Sequence, residues 1–242
     1  MELKGKNALI TGAAHRVGKA IALRLAQEGC NIALHYHRAA EEAEQALAEI
    51  RELGVRAHTN QADLCSLPAI KQLFRDLEKD FKRLDILINS AAIMQRKPFA
   101  KISGDDWAAT IDLNLRAAFF CTQSAVQLMG SENGAIINIS DIAGIQPWKD
   151  FPVHSISKAG IEMLTRVAAL EYGPGVRVNA IAPGPVLKPE HMTDERWAQI
   201  GKALPLGKTG DPVDVARAVI FLLSNDYITG ESLAVDGGNQ LI

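Results

Sequence analysis

The chain has 242 residues, 48% of them hydrophobic and 22% charged, with a formal net charge of −2. That balance excludes an intrinsically disordered chain, and the near-neutral charge gives no electrostatic reason to expect nucleic acid or an anionic membrane as a partner. Three cysteines, Cys30, Cys65 and Cys121, lack CxxC spacing, so neither a disulfide framework nor a zinc site is expected, and the thiols read as those of a cytoplasmic protein.

The start, MELKGKNALITG, has no long apolar run of the signal-peptide kind, and no stretch approaches 18 uninterrupted apolar residues. No repeat, low-complexity tract or linker divides the chain, so one domain over residues 1–242 is expected. Short aliphatic runs then alternate with helical patterns. Strands are expected at Asn7–Ile10, Asn31–Tyr36, Val55–Thr59, Leu84–Ile88, Ala135–Ile139, Val176–Ile181 and Ser232–Val235. Most are apolar throughout, as parallel strands covered on both faces are. Ala43, Ala46, Leu47, Ile50 and Leu53 recur at helical spacing, as do Ile70, Leu73, Phe74 and Leu77. Asp211 caps a further helix with Pro212 in its first turn. This alternation predicts a Rossmann-type, doubly wound α/β fold with a parallel sheet of about seven strands. Pro183, Pro185, Pro189 and Pro205 break up residues 183–206 around one short helix near Thr193–Ala203. A long connection leaving the carboxyl end of a strand is placed to serve as a substrate loop.

The first strand runs into Thr11-Gly12-Ala13-Ala14-His15-Arg16-Val17-Gly18 before a helix opens. Backbone N–H groups and the helix dipole make such a turn a seat for a pyrophosphate. The G-x-G-x-x-G fingerprint is incomplete, since Gly12 and Gly18 flank a run without a middle glycine. The second strand ends in Tyr36-His37-Arg38, with no acidic residue before Glu41. An acidic side chain there would accept from a ribose 2′-hydroxyl, whereas an arginine suits a 2′-phosphate. NADP(H) is therefore the expected cofactor.

The turn resembles that of the short-chain dehydrogenase/reductase family, with Arg16 where the middle glycine of TGxxxGxG belongs. Asp63-Leu64, Asn89-Ser90-Ala91-Ala92, Asn114, Ser157-Lys158, Asn179 to Gly184, Thr229-Gly230 and Val235 to Gly238 extend the resemblance over nearly the whole chain. It implies cofactor contacts from Gly12, His15, Arg16, Val17, Gly18, Tyr36, His37, Arg38, Asp63, Leu64, Asn89, Ser90, Ala91, Lys158, Pro183 and Gly184. The turn and the HYHR strand end together are similar to the pteridine reductase and dihydromonapterin reductase branch, in which the turn arginine lies beside the cofactor phosphates and the substrate. The family works with an Asn, a Ser, a Tyr and a Lys. Asn114 and Lys158 match the first and last. Four residues before Lys158 stands His154, where the family has tyrosine. Thirteen before that stands Asp141, where it has serine, and an Asp in this slot resembles the pteridine reductase branch. Met94 stands near the place of that branch's stacking aromatic residue, which counts against a pterin. Two readings follow. Either His154 supplies the proton that accompanies hydride transfer, or turnover is lost and the fold serves as a cofactor-binding regulatory module. A pterin, a 3-oxoacyl thioester and a simple ketone remain open as substrates. Resemblance further implies a homo-oligomer, a tetramer, paired through helices spanning about residues 106–129 and 154–172.

Overall fold

The structure is a computed structural model that describes residues 1–130, 133–190 and 192–242. Strands β1 (Asn7–Ile10), β2 (Asn31–Tyr36), β3 (Ala57–Gln61), β4 (Ile86–Asn89), β5 (Gly134–Ile139), β6 (Val176–Pro183) and β7 (Ser232–Val235) form one parallel sheet in the order β3-β2-β1-β4-β5-β6-β7. Helices cover both faces. On one side, α1 (Arg16–Gln27), α2 (Ala40–Glu52) and α8 (Pro212–Ser224) set Ile21, Leu25, Ile50 and Val219 against Ile10, Ile32 and Ile88. On the other, α3 (Leu67–Phe81), α5 (Ala117–Met129) and α6 (Pro152–Tyr172) set Leu73, Leu77, Cys121 and Ala168 against Leu9, Leu87 and Ile136. Alternate residues of one strand thus feed two separate cores, which is why β1, β4 and β5 are buried along their whole length. The chain order reverses between β1 and β4, and their carboxyl ends open the crevice in which such sheets take ligands.

Local chemistry sets the helix ends. Ser66 accepts from the Ala69 N–H at the start of α3. Ser103 and Asp106 form a reciprocal capping box on α4 (Gly104–Ile111), and Asp211 and Asp214 do so on α8. Thr193 caps α7 (Asp194–Ala203) inside the 183–206 connection, in which His191 lies outside the described residues.

Some strand limits shift from the sequence reading, β4 starting at Ile86 rather than Leu84 and β6 running on to Pro183, and two departures have a physical reason. β3 begins at Ala57 rather than Val55 and runs on through Gln61. It is the sheet's edge, so its register follows pairing with β2, Ile32 opposite Ala57, rather than its own apolar residues. The long helix expected near residues 106–129 is α4 and α5 joined by a single π-type turn, Asp112–Arg116. π turns mark places where a helix gives up regular bonding to aim a side chain, and here that side chain is Asn114.

Candidate active site

The glycine turn is tightly built. Gly12 has φ +65°, and a Cβ there would lie 2.9 Å from the Ala91 Cα. At Gly18 a Cβ would meet the Gly12 carbonyl oxygen at 2.4 Å, so only glycine lets α1 start this close to the turn. Arg16 holds φ +60° although it is not glycine. The turn demands that conformation, and the arginine accepts a strain of about 1 kcal/mol in meeting it. Thr11 Oγ1 accepts from the N–H groups of Ser90 and Ala91 at 2.9 and 3.1 Å, stitching the turn to the end of β4.

One residue of this cradle was read from the sequence only as the first letter of the HYHR strand end, with no role. His35, on β2, is 2% exposed, and its Nδ1 accepts from the Gly12 N–H at 3.1 Å. Its Nε2 faces the Ala62 carbonyl at 3.1 Å. Burial holds its pKa down to about 4, so it stays neutral. The available signal was a single polar residue inside an apolar strand. Beyond it Tyr36 is half-buried, while His37 and Arg38 are exposed at the strand's end. Among the described residues Arg38 has no ion-pair partner, and the His37 carbonyl is fixed by Gln61 Nε2 at 3.0 Å. Asp63 Oδ1 accepts from the Cys65 N–H at 2.9 Å, and Leu64 is buried beside it. Pro183 ends β6, and the Gly184 N–H bonds to the Val235 carbonyl at 3.0 Å. Asn89 commits its amide nitrogen to Thr122 and Asn138 and lines the cavity described below.

Asn114, Asp141, His154 and Lys158 come together at the carboxyl ends of β4 and β5. Asn114 accepts from the Ile93 N–H at 2.8 Å and donates to the Ile93 carbonyl at 2.9 Å and to Ser157 Oγ at 3.0 Å. Ser157, read from the sequence only as part of the Ser157-Lys158 motif, is the post that ties the π turn to α6. The Lys158 ammonium, on a residue 5% exposed, donates to the Ile139 carbonyl at 2.7 Å. Burial lowers its pKa to about 8, while the carboxylates of Asp141 and Glu162 act to hold the charge. Ser140 bonds back to the Lys158 carbonyl at 3.4 Å and is buried. Asp141 is the residue of this pair that the structure sets beside His154. His154 Nε2 lies 3.5 Å from Asp141 Oδ2, a facing pair without hydrogen-bond geometry, and Nδ1 lies 3.4 Å from the Ile93 carbonyl. His154 is 4% exposed, so it does not serve as a solvated cap at the start of α6. A narrow cavity touches Thr11, Leu64, Ala91, Asn114 and Lys158, joining the turn to this cluster.

A family model described as enoyl-(acyl carrier protein) reductase matches residues 12–240. A 3-oxoacyl-[acyl-carrier-protein] reductase FabG of Staphylococcus aureus is 36% identical over 239 residues, covering 96% of this chain and 97% of that protein. A 3beta-hydroxysteroid dehydrogenase of Eggerthella lenta is 38% identical, covering 99% and 95%. A solved short-chain dehydrogenase/reductase mutant from Serratia marcescens superposes with a TM-score of 0.93 at 30% identity, covering 99% of this chain and all of that one. The chain belongs to the short-chain dehydrogenase/reductase family. It is an oxidoreductase. Within the family, a dehydrogenase/reductase of Sinorhizobium meliloti shares the fold at a TM-score of 0.91 and 36% identity, with 98% and 96% of the two chains covered. The relatives named here carry oxoacyl and hydroxysteroid substrates in their names, not the pterin of the branch that the turn and the HYHR strand end resemble.

Proposed function

We propose that this short-chain reductase uses NADPH to reduce a C=O or C=N carbon, with His154 as the source of the proton. The observation that carries the reading is the convergence of Asp141, His154 and Lys158 beside Asn114 at the mouth of the crevice. Bound NADPH supplies the hydride. The α1 N-terminus and the glycine turn hold its pyrophosphate, and His37 and Arg38 take the 2′-phosphate as charge-assisted donors. Lys158 would orient the ribose and carry the positive charge of the site. His154 would donate the proton that accompanies hydride transfer, with the Asp141 carboxylate facing its Nε2 at 3.5 Å. Asn114 holds the 90–98 segment that borders the site.

A ketone or 3-oxoacyl substrate fits the names of the relatives. A second reading, a pterin or another cyclic imine, is favoured by Asp141. An ionised carboxylate accepts hydrogen bonds and cannot donate one, so it suits a substrate that presents an N–H. The proposed assembly is a homo-oligomer, a tetramer by family resemblance. The reading from another class, a cofactor-binding module without turnover, is met by the same experiment.

That experiment follows NADPH absorbance over acetoacetyl thioesters, small diketones, dihydropterins and dihydrofolate. His154→Phe is expected to lose most of the rate, about 100-fold or more for a lost general acid, with NADPH affinity kept. His154→Tyr is expected to retain activity, since a phenol can take the place of the imidazole as proton donor. Full activity of His154→Phe would make the histidine a bystander. Turnover by His154→Tyr alone would establish the binding module. For the cofactor, NADPH is expected to bind more tightly than NADH, and Arg38→Ala to erase most of the difference. Equal affinities in the wild type would overturn the preference.

A further inference from the structure

We propose that His35 is a positioning residue that joins the three cofactor-facing chain ends and thereby sets affinity for NADP(H). The inference rests on the cofactor reading above and extends it to a residue that the cofactor does not touch.

The argument begins with topology. In a parallel sheet ordered β3-β2-β1, the carboxyl ends of three neighbouring strands lie side by side. β1 leads into the glycine turn, β2 into Tyr36-His37-Arg38, and β3 into Ala62-Asp63-Leu64. Each end is a short piece of irregular chain beyond the last ladder bonds. The β3 end is held to β2 by the Ala62 N–H on the Tyr36 carbonyl at 3.1 Å and by Gln61 on the His37 carbonyl, but at these carboxyl ends, among the described residues, no side chain other than His35 reaches from β2 to both neighbours. His35 supplies that link. Its Nδ1 takes the Gly12 N–H and its Nε2 faces the Ala62 carbonyl, both at 3.1 Å. Its own carbonyl takes the next N–H of the turn, that of Ala13, at 2.9 Å. One buried residue therefore binds the β1 and β3 ends from its seat on β2.

The chemistry is specific. Nδ1 must be the acceptor and Nε2 the donor, so only the neutral Nε2–H tautomer satisfies both partners. Burial, which holds the ring neutral, keeps that tautomer available. The turn has no slack to absorb a lost bond, because a Cβ at Gly12 would already collide with Ala91, and Ala91 is itself bonded to Thr11. Losing the His35 ring removes the side-chain hold on the Gly12 N–H and on the Ala62 carbonyl, while the Ala62 N–H stays on the Tyr36 carbonyl at 3.1 Å. It also orphans a buried donor and a buried acceptor. A second consequence concerns the ligand. The N–H groups of Gly12 and Ala13 are both spent on residue 35, so the pyrophosphate is left to the N–H groups that open α1.

The test is titration calorimetry with NADPH and NADP+ on the wild type and on His35→Phe, His35→Gln, His35→Asn and, as a control, Leu222→Ala. Leu222 is a buried α8 residue, so its truncation destabilises the fold without touching the link. His35→Phe is expected to weaken NADPH binding by about tenfold or more, the effect of roughly one net hydrogen bond. His35→Gln, which offers an acceptor and a donor, is expected to recover most of that loss. His35→Asn reaches Gly12 but not Ala62 and is expected to fall between them; it also stands in if His35→Phe does not fold. At saturating NADPH, kcat is expected to stay within about threefold of the wild type, so that the loss is read in KM for the cofactor. Affinity within twofold of the wild type in His35→Phe, or in His35→Asn where the former fails to fold, overturns the inference. So does an equal loss in Leu222→Ala, which would reduce His35 to a stabilising residue. A wild type that binds neither NADPH nor NADP+ sinks the cofactor reading itself, and this inference with it.

Discussion

Lys158 is an ammonium on a residue only 5% exposed. Its folded pKa of about 8 lies below the ordinary 10.5, with burial as the leading cause, so the fold disfavours the charge that the proposed chemistry needs. The difference corresponds to about 3 kcal/mol at neutral pH. Part of that is offset by the bond to Ile139, whose loss would cost about 1–3 kcal/mol. Lys158→Met is therefore expected to abolish turnover while keeping or raising Tm at pH 7, and a fall of several degrees would contradict this. The sign of the pH dependence follows. Between about pH 8 and 10.5 the unfolded chain keeps the proton that the folded chain has released, so the cost fades as pH rises and this lysine's contribution to stability improves. Activity moves the other way, since kcat is expected to decline above about pH 8 as Lys158 loses its charge. A pH–rate profile beside melting curves of the wild type and Lys158→Met reads both trends. Lys158 was legible in the sequence because it stands in register with a known motif. His35 was not, because its partners Gly12 and Ala62 are 23 and 27 positions away and meet only when three strands align.

At the scale of elements, the join between α4 and α5 carries the most information. A regular helix would bond its own backbone throughout. The π turn instead presents Asn114, which returns three hydrogen bonds to Ile93 and Ser157 and so fixes the 90–98 segment against α6. Asn114→Ala leaves the Ile93 N–H and carbonyl without these partners and is expected to cost about 2–3 kcal/mol, together with most of the activity. Melting temperature and kcat measured on the same variant check this, and loss of one without the other would separate anchoring from catalysis. Family resemblance implied one helix over this stretch, and a single π turn leaves no mark in the local sequence that would have divided it. The edge strand β3 was misplaced for a related reason. Its residues are half-buried and polar, and its limits come from pairing with β2 rather than from its own composition.

For the whole molecule, the surface of α6 and its neighbours is unusually apolar. Ile156, Met163, Val167 and Leu170 are 44–87% exposed on α6, with Trp107 on α4 and Phe119 on α5 also open. Such a surface fits the proposed homo-oligomer. Light scattering is expected to find an oligomer at micromolar concentration, and Leu170→Glu with Met163→Glu to dissociate it; a wild-type monomer would refute the assembly. Among the described residues no helix is long and apolar enough to cross a membrane. The sequence by itself determined the alternation of strands and helices, the parallel sheet, the glycine turn and the positions of Asn114, Asp141, His154 and Lys158. Each of these is written in local spacing or in a motif whose residues are close along the chain. Only the tertiary structure decided that Asn89 turns its amide inward, that Asp141 rather than Ser140 meets His154, that a π turn aims Asn114, and that His35 ties three strand ends together. Those facts depend on which distant backbone groups a folded sheet brings within hydrogen-bond range, and local periodicity does not encode such distances.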